Sequence, residues 1–412
     1  MAGQETIAVI GAGVIGSAIA CALACEGRSV LLIDRAPPGE GGASFGNAGH
    51  IATELVEPLP SPSLLFGFWR ELFAFGGVLD IPPRRLLKIL PWATRFARSA
   101  FRRSANTRHL APFVRPAVPA LVEMLGEIGR ADLIRQQGHY EMWLGGDAAQ
   151  RARRQARAME GLEVPTQPAP VGLVESARRA AKATAAAGLW YPNCAHVLDP
   201  LEVVRAFAGA ATARGASFQQ RDVRSLHASD AGVQILTDAG PIRAGSAIVC
   251  AGVWSAPLLT PFGLRAPLEA ARGYHVQMPG ATPLVDAPLL YCDANILVTP
   301  MTGRVRATSF MEFAGADAPP DPRKPAWLRT KLGELGYTCD DATPSWVGPR
   351  PVLPDYLPAM GRVAVAPNVL YAFGHQHIGL TLAAVTARAM ADLVAGRAPA
   401  TDISAFDLKR WS

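Results

Sequence analysis

The chain has 412 residues, half of them hydrophobic and 18% charged. Its length exceeds the ~100–200 residues usual for one domain, and so much apolar material excludes extensive disorder. Forty basic residues against 34 acidic give a net charge of +6 with no long like-charge run, which permits an anionic partner without demanding one. The six cysteines are scattered with no Cys-x-x-Cys pair, and Cys21 and Cys25 lie one helical turn apart, suiting a helix face better than a bridge. A reducing, cytoplasmic compartment and no bound metal are therefore expected. The apolar first thirty residues lack a basic leader and carry a glycine motif, so they read as part of the fold and not as a signal peptide. No uninterrupted apolar stretch approaches the ~18 residues of a transmembrane span.

A short apolar run from Thr6 to Ile10 passes into Gly11-Ala12-Gly13-Val14-Ile15-Gly16, then a helical pattern, then a second apolar run ending at Asp34. Strand, glycine turn, helix and strand in this order predict a βαβ dinucleotide-binding unit. Gly11 allows the tight turn, Gly13 a close approach of pyrophosphate to the backbone, and Gly16 tight helix–strand packing. The helix start offers free N–H groups to phosphate, with Val14 and Ile15 in its first turn. Asp34, with Arg35 beside it, stands where a carboxylate meets ribose hydroxyls.

The segment 37–50, Pro-Pro-Gly-Glu-Gly-Gly-Ala-Ser-Phe-Gly-Asn-Ala-Gly-His, cannot form a regular helix. It suits contact with a second region of an extended cofactor, which favours FAD over NAD. Ser44, Asn47, Ala48 and Gly49 match a Ser-x-x-Asn-Ala-Gly segment, and here the chain resembles the FAD-dependent D-amino-acid oxidase superfamily, especially bacterial D-amino-acid dehydrogenases. Trp346-x-Gly-x-Arg350-Pro and Gly374-His375-x-His377-x-Gly379-Leu380-Thr381 resemble the same family near the C-terminus.

Between the two ends, residues 84–103 interleave basic with apolar positions. Ile89, Trp92, Ala93 and Phe96 recur at helical spacing, giving an amphipathic helix. That helix packs on its own domain or docks on a membrane surface or partner. Further helices are predicted over 115–130 and 147–159. Asp199-Pro200 is a helix start with Asp as cap and Pro at the first helical position, and Gly215 is its stop. Strands follow over 218–226, 233–237 and 247–250, the last ending in the small-residue turn Ala251-Gly252-Val253-Trp254. The resemblance implies that this turn passes near FAD and that Val223 touches adenine through its backbone. Alternating patterns over 274–278, 296–300 and 305–311 predict antiparallel strands. Strand, glycine turn and helix recur over 369–394, placing a second helix N-terminus toward the flavin.

The expected architecture is α/β: a Rossmann-like FAD-binding domain (1–60, 198–262 and 346–412) interleaved with an α+β substrate domain (61–197 and 263–345) containing a largely antiparallel sheet. The resemblance implies dehydrogenation of a D-amino acid, with Arg350 clamping the carboxylate through its planar guanidinium. His375 and His377 divide cofactor and substrate contacts. His50 reaches flavin or substrate, and Tyr274 and Tyr291 offer hydroxyls to the substrate or serve as core aromatics. FAD is expected to be noncovalent, because no cysteine stands in an attachment context. The histidine-rich turn resembles enzymes of D-hydroxyproline, so a cyclic secondary amine is the first substrate expected, ahead of glycine, sarcosine or ordinary D-amino acids. The electron acceptor (respiratory chain, dye or oxygen) is left open, and a peripheral contact with the inner face of the cell membrane is the alternative setting. A tRNA-modifying flavin enzyme is disfavoured by the lack of a basic domain, so no nucleic acid is expected. A non-catalytic flavin-binding subunit is disfavoured by the intact Arg350 and glycine turns.

Overall fold

The computed structural model describes residues 5–340 and 342–411; the outermost expected domain limits, 1 and 412, lie outside them. A six-stranded sheet runs in the order 217–220, 30–34, 7–10, 246–249, 369–373 and 359–362. The first five strands are parallel and the last is antiparallel. The strands Ile7–Ile10 and Val369–Phe373 are buried along their whole length, as continuous apolar runs in a parallel sheet require. The helix Val14–Cys25 is apolar almost all round because helices Pro200–Ala213 and Ala383–Val394 both pack against it. Asp199 caps the second of these by accepting from the Leu201 N–H at 2.9 Å, as its sequence predicts. An antiparallel meander, Val223–Ser229, Gly232–Thr237 and Gly240–Ala244, is inserted before the central strand Ser246–Val249.

The second layer is a nine-stranded sheet in the order 345–352, 269–279, 304–312, 296–301, 289–291, 139–144, 186–191 and 167–168, with Leu79–Asp80 added beside 304–312. It is antiparallel except where 289–291 meets 139–144 and where Leu79–Asp80 meets 304–312. The strand Ser345–Val352, grouped by sequence with the cofactor domain, pairs along Glu269–Pro279 in this larger sheet. The chain crosses to the cofactor sheet only after Val352, at strand Ala359–Arg362. A small sheet of His50–Ile51, Ala195–Val197 and Ile134–Arg135 joins the layers.

The amphipathic helix forms over Leu86–Ala100. Its inner face packs Ile89 and Trp92 on Phe313, Val352 and Tyr356, and the Trp92 indole N–H donates to the Val352 carbonyl at 3.3 Å. Its outer face leaves Leu87 85% exposed.

Candidate active site and cofactor cleft

A cavity of about 870 Å3 runs between the two sheets from Asp34 to Arg350. That falls in the range usual for ligand and cofactor sites, roughly 300–1,000 Å3. Of the predicted cofactor residues, Gly11, Gly13, Val14, Ile15, Asp34, Arg35, Ser44, Asn47, Ala48, Val223, Ala251, Gly252, Trp254, Gly374, His375, Gly379 and Leu380 line it. Two glycines show why the turn admits nothing larger. A Cβ on Gly11, whose φ is +107°, would stand 2.4 Å from the Cys250 carbonyl oxygen, and one on Gly16 would stand 1.8 Å from the Gly11 oxygen. Gly16 therefore packs the turn instead of facing the cavity.

The Asp34 carboxylate accepts from the Ala12 N–H at 2.6 Å and the Ala36 N–H at 3.1 Å. Burial nonetheless raises it above the ordinary carboxylate range. The Arg35 guanidinium lies 3.8 Å over the Trp254 ring, closing this end. The Ser44 hydroxyl accepts from the Val14 N–H at 2.9 Å, so the loop of segment 37–50 is bonded to the first glycine turn. Its other end is tied to the large sheet. His275 Nδ1 lies 3.0 Å from the Gly46 carbonyl, and buried Arg306 donates to the Asn47 carbonyl. The Trp346 ring fills the space that glycine leaves at 46 and 348. Gly49, at φ +77°, and Thr381 support this wall from behind; the Thr381 hydroxyl accepts from the Ala52 N–H at 3.0 Å.

Arg350 stands in the cavity wall. Its guanidinium donates to the Phe310 carbonyl at 2.9 Å, and it forms no ion pair with an acidic side chain among the described residues. Burial lowers its pKa from the ordinary value, but a guanidinium stays charged in a protein. The neighbouring strands are built to seat it. A β-bulge between Arg272 and Tyr274 interrupts their pairing with 304–312, and Phe310 there takes a φ of +73°. A Cβ on Gly273 would lie 2.0 Å from an Arg350 amino nitrogen. Neither Gly273 nor Phe310 had a signal in local sequence, because a bulge appears only once two strands are paired.

His377 is open to the cavity, 6.2 Å between ring centres from Tyr356. Desolvation in the cleft, and secondarily the Arg350 charge, push it down to about 4, which favours the neutral imidazole. His375 is buried behind it, with Nε2 3.0 Å from the Thr386 hydroxyl and its pKa pushed down to about 3 by burial. Gln376 between them is held at φ +52°, its N–H donating to the Pro351 carbonyl at 3.1 Å.

The two tyrosines do not reach the substrate side. Tyr291 is absent from the cavity wall; its hydroxyl lies 3.5 Å from that of Tyr337 in the core behind the sheet. Tyr274 lines the cavity, but its hydroxyl donates to Glu312 at 2.9 Å and accepts from Arg272 and the Asp321 N–H. The pleat turns both side chains to the far face, a choice that alternation alone does not specify.

His50 lies toward a part of the wall that sequence reasoning missed, made by Glu54, His139 and Glu141. Its ring centre lies 4.3 Å from that of His139, the two planes tilted by 33°. Burial pushes Glu54 up to about 8 and Glu141 up to about 7, even though Cys194 donates to the first at 3.0 Å and the Tyr191 hydroxyl to the second at 2.6 Å.

A glycine turn that faces a helix N-terminus, an acid at the end of the second strand and a long inter-sheet cleft define a dinucleotide-binding flavoprotein. The family model described as FAD dependent oxidoreductase matches residues 6–393, and the chain belongs to that family; its cofactor is FAD. It is 31% identical to a D-amino acid dehydrogenase of Paramagnetospirillum magneticum, over 98% of this chain and 99% of that one. It is 29% identical to a D-amino-acid oxidase of Bradyrhizobium diazoefficiens, over 98% of each. Glycine oxidase from Geobacillus kaustophilus shares the fold, with a TM-score of 0.72 at 23% identity over 98% of this chain and 99% of that one.

Proposed function

We propose that the protein oxidises a D-amino acid to its imino acid, with Arg350 holding the substrate carboxylate. The observation that carries this reading is the guanidinium itself: a cation in the cleft wall with no acidic partner among the described residues, braced by Phe310 and given room by Gly273. A substrate carboxylate supplies the missing anion through two parallel hydrogen bonds. FAD, when bound, takes up the hydride leaving Cα. Arg350 fixes where Cα sits, and neutral His377 accepts a hydrogen bond from the substrate nitrogen. The sheet and the Trp346 ring exclude water from the reacting face. The relatives named for D-amino acids support this reading over its length.

A cyclic secondary amine, cis-4-hydroxy-D-proline or D-proline, is the substrate we put first, on the resemblance of the His375–Thr381 turn. Anaerobic mixing with a panel of amino acids tests it through flavin bleaching. Cyclic D-amines should bleach faster than D-alanine, and L-amino acids should do little. Faster bleaching by glycine or sarcosine moves the assignment to that side of the family.

We further propose that residues 66–101 rest on an anionic membrane surface. No helix among the described residues is long and apolar enough to cross a membrane. Yet of the ten exposed large hydrophobic residues among the described residues, eight lie here: Phe66, Phe68, Trp69, Phe75, Leu86, Leu87, Leu90 and Phe101. Lys88, Arg95, Arg98 and Arg102 lie among or beside them. Basic residues at such a surface contribute about 1 kcal/mol each. Replacing Arg95, Arg98 and Arg102 with Gln should release the protein from phosphatidylserine vesicles while leaving flavin bleaching intact. A wild type that ignores such vesicles at low salt removes the proposal.

A further inference from the structure

We propose that His50, Glu54 and Cys194 form a binding site for a divalent cation of the zinc class, with a fourth coordination position open to the cavity. One donor atom from each of the three residues lies within 4.8 Å of the others. His50 Nε2 is 3.6 Å from Glu54 Oε1, and Cys194 Sγ is 3.0 Å from Glu54 Oε2. Tetrahedral zinc with bonds of about 2.0–2.3 Å sets its ligands roughly 3.3–3.7 Å apart, so little movement is needed to close on an ion. Imidazole, carboxylate and thiolate together form a donor set that this borderline cation accepts. The positions are fixed by backbone. Strand 50–51 pairs with Ala195 and His196, which brings Cys194 beside the segment carrying Glu54.

A separate observation points to a missing ligand. The His50 side chain is only 8% exposed, and its Nε2 has no hydrogen-bond partner. Leaving a buried polar atom unmatched is costly, and a coordinated ion would satisfy it. A second cluster among the described residues sharpens the point. Asp80, Glu312 and Asp321 also lie close enough together to hold a metal, but the Lys324 ammonium already fills their centre, at 2.7, 2.7 and 2.9 Å. No such ammonium stands among His50, Glu54 and Cys194. His50 and Glu54 both line the cavity, which supplies an entry path. Binding releases the Cys194 thiol proton, and any proton on Glu54, to solvent, leaving thiolate and carboxylate on the ion. The site shares the cavity with Arg350, whose guanidinium is bonded elsewhere, to the Phe310 carbonyl.

The test uses the FAD-loaded protein, stripped with chelator and dialysed against buffered Zn2+. One equivalent should bind, and X-ray absorption should show one sulfur near 2.3 Å with lighter atoms near 2.0 Å. Cys194→Ser and Glu54→Gln should each weaken binding at least about 100-fold, since even partners of metal ligands cost about 10–100-fold when lost. Cys194→His, which restores a ligand, should keep it, and circular dichroism and flavin content confirm folding in each case. Absence of stoichiometric zinc, a sulfur-free coordination shell, or undiminished affinity in folded Cys194→Ser each overturns the proposal. None of these outcomes depends on which amine is the substrate.

Discussion

Two regions of the cleft wall carry opposite answers to the same problem, an ionisable group removed from water. In one, Arg350 keeps its charge, because a guanidinium cannot release its proton at any pH the fold survives. In the other, Glu54, Glu141, His50 and His139 are driven toward their neutral forms, the acids upward and the imidazoles downward, with burial the largest cause for all four. The first region presents a fixed charge that a ligand must match. The second stores hydrogen-bonding atoms whose charge depends on what arrives.

The largest effect should come from deleting the fixed charge. Arg350→Ala should lower kcat/KM for a D-amino acid by about 100–1,000-fold while FAD content holds. Hydrogen bonds to charged groups are worth about 1.5–3 kcal/mol each, and a misplaced Cα also slows hydride transfer. Arg350→Lys should fall less, mainly through KM, because an ammonium cannot reproduce the fork. Near-normal kcat/KM in Arg350→Ala would show that the carboxylate is anchored elsewhere.

Moving the charge without deleting it should come next. Gly273→Ala places a methyl group where the guanidinium now lies. KM should rise about 10–100-fold with a smaller change in kcat. An unchanged KM would mean that Arg350 swings aside freely and is not positioned by the bulge.

The neutral region is read through pH. His375, like the imidazoles there, has its pKa lowered, to about 3 from 6.5. Its contribution to stability is complete above pH 6.5 and is lost as pH falls toward 3, by about 2 kcal/mol between pH 7 and 5. Glu141 is raised from 4.5 to about 7. Its contribution is complete below pH 4.5 and is lost as pH rises through 7, by about 2 kcal/mol between pH 5.5 and 8. Denaturant unfolding across this range should therefore show a maximum near pH 5–7, and Glu141→Gln should make only its alkaline side shallower, the remainder of that limb coming from Glu54, which is raised to about 8. An equally steep alkaline limb in that variant would mean that Glu141 titrates normally.

What was legible in the sequence follows the same division. The glycine turn, Asp34, the Asp199 cap and the strand before Gly374 are local patterns, each set by neighbours within a few residues, and all formed as read. Arg350 carried a recognisable motif, but its seat did not: Gly273 and Phe310 lie far away in sequence and matter only through strand pairing. Tyr274 and Tyr291 failed as substrate contacts because the pleat decides which face a residue meets. His50, Glu54 and Cys194 span 144 positions and meet through a two-residue bridge between strands, which no spacing rule detects.

The strand order of the cofactor sheet also sets a clock. The glycine turn is complete by residue 16, yet the central strand beside it is 246–249 and the strand beyond that is 369–373. At ~5–20 residues per second, synthesis leaves roughly 20–70 s between the first strand and the last wall of the cleft. Until 246–249 is made, roughly 10–50 s after the first strand at that rate, Ile7–Ile10 has only Val30–Asp34 as a neighbour, and its other edge is open to wrong partners. Flavin capture must therefore follow release of nearly the whole chain. Truncations before residue 369 should emerge colourless and aggregation-prone, however intact their glycine motif.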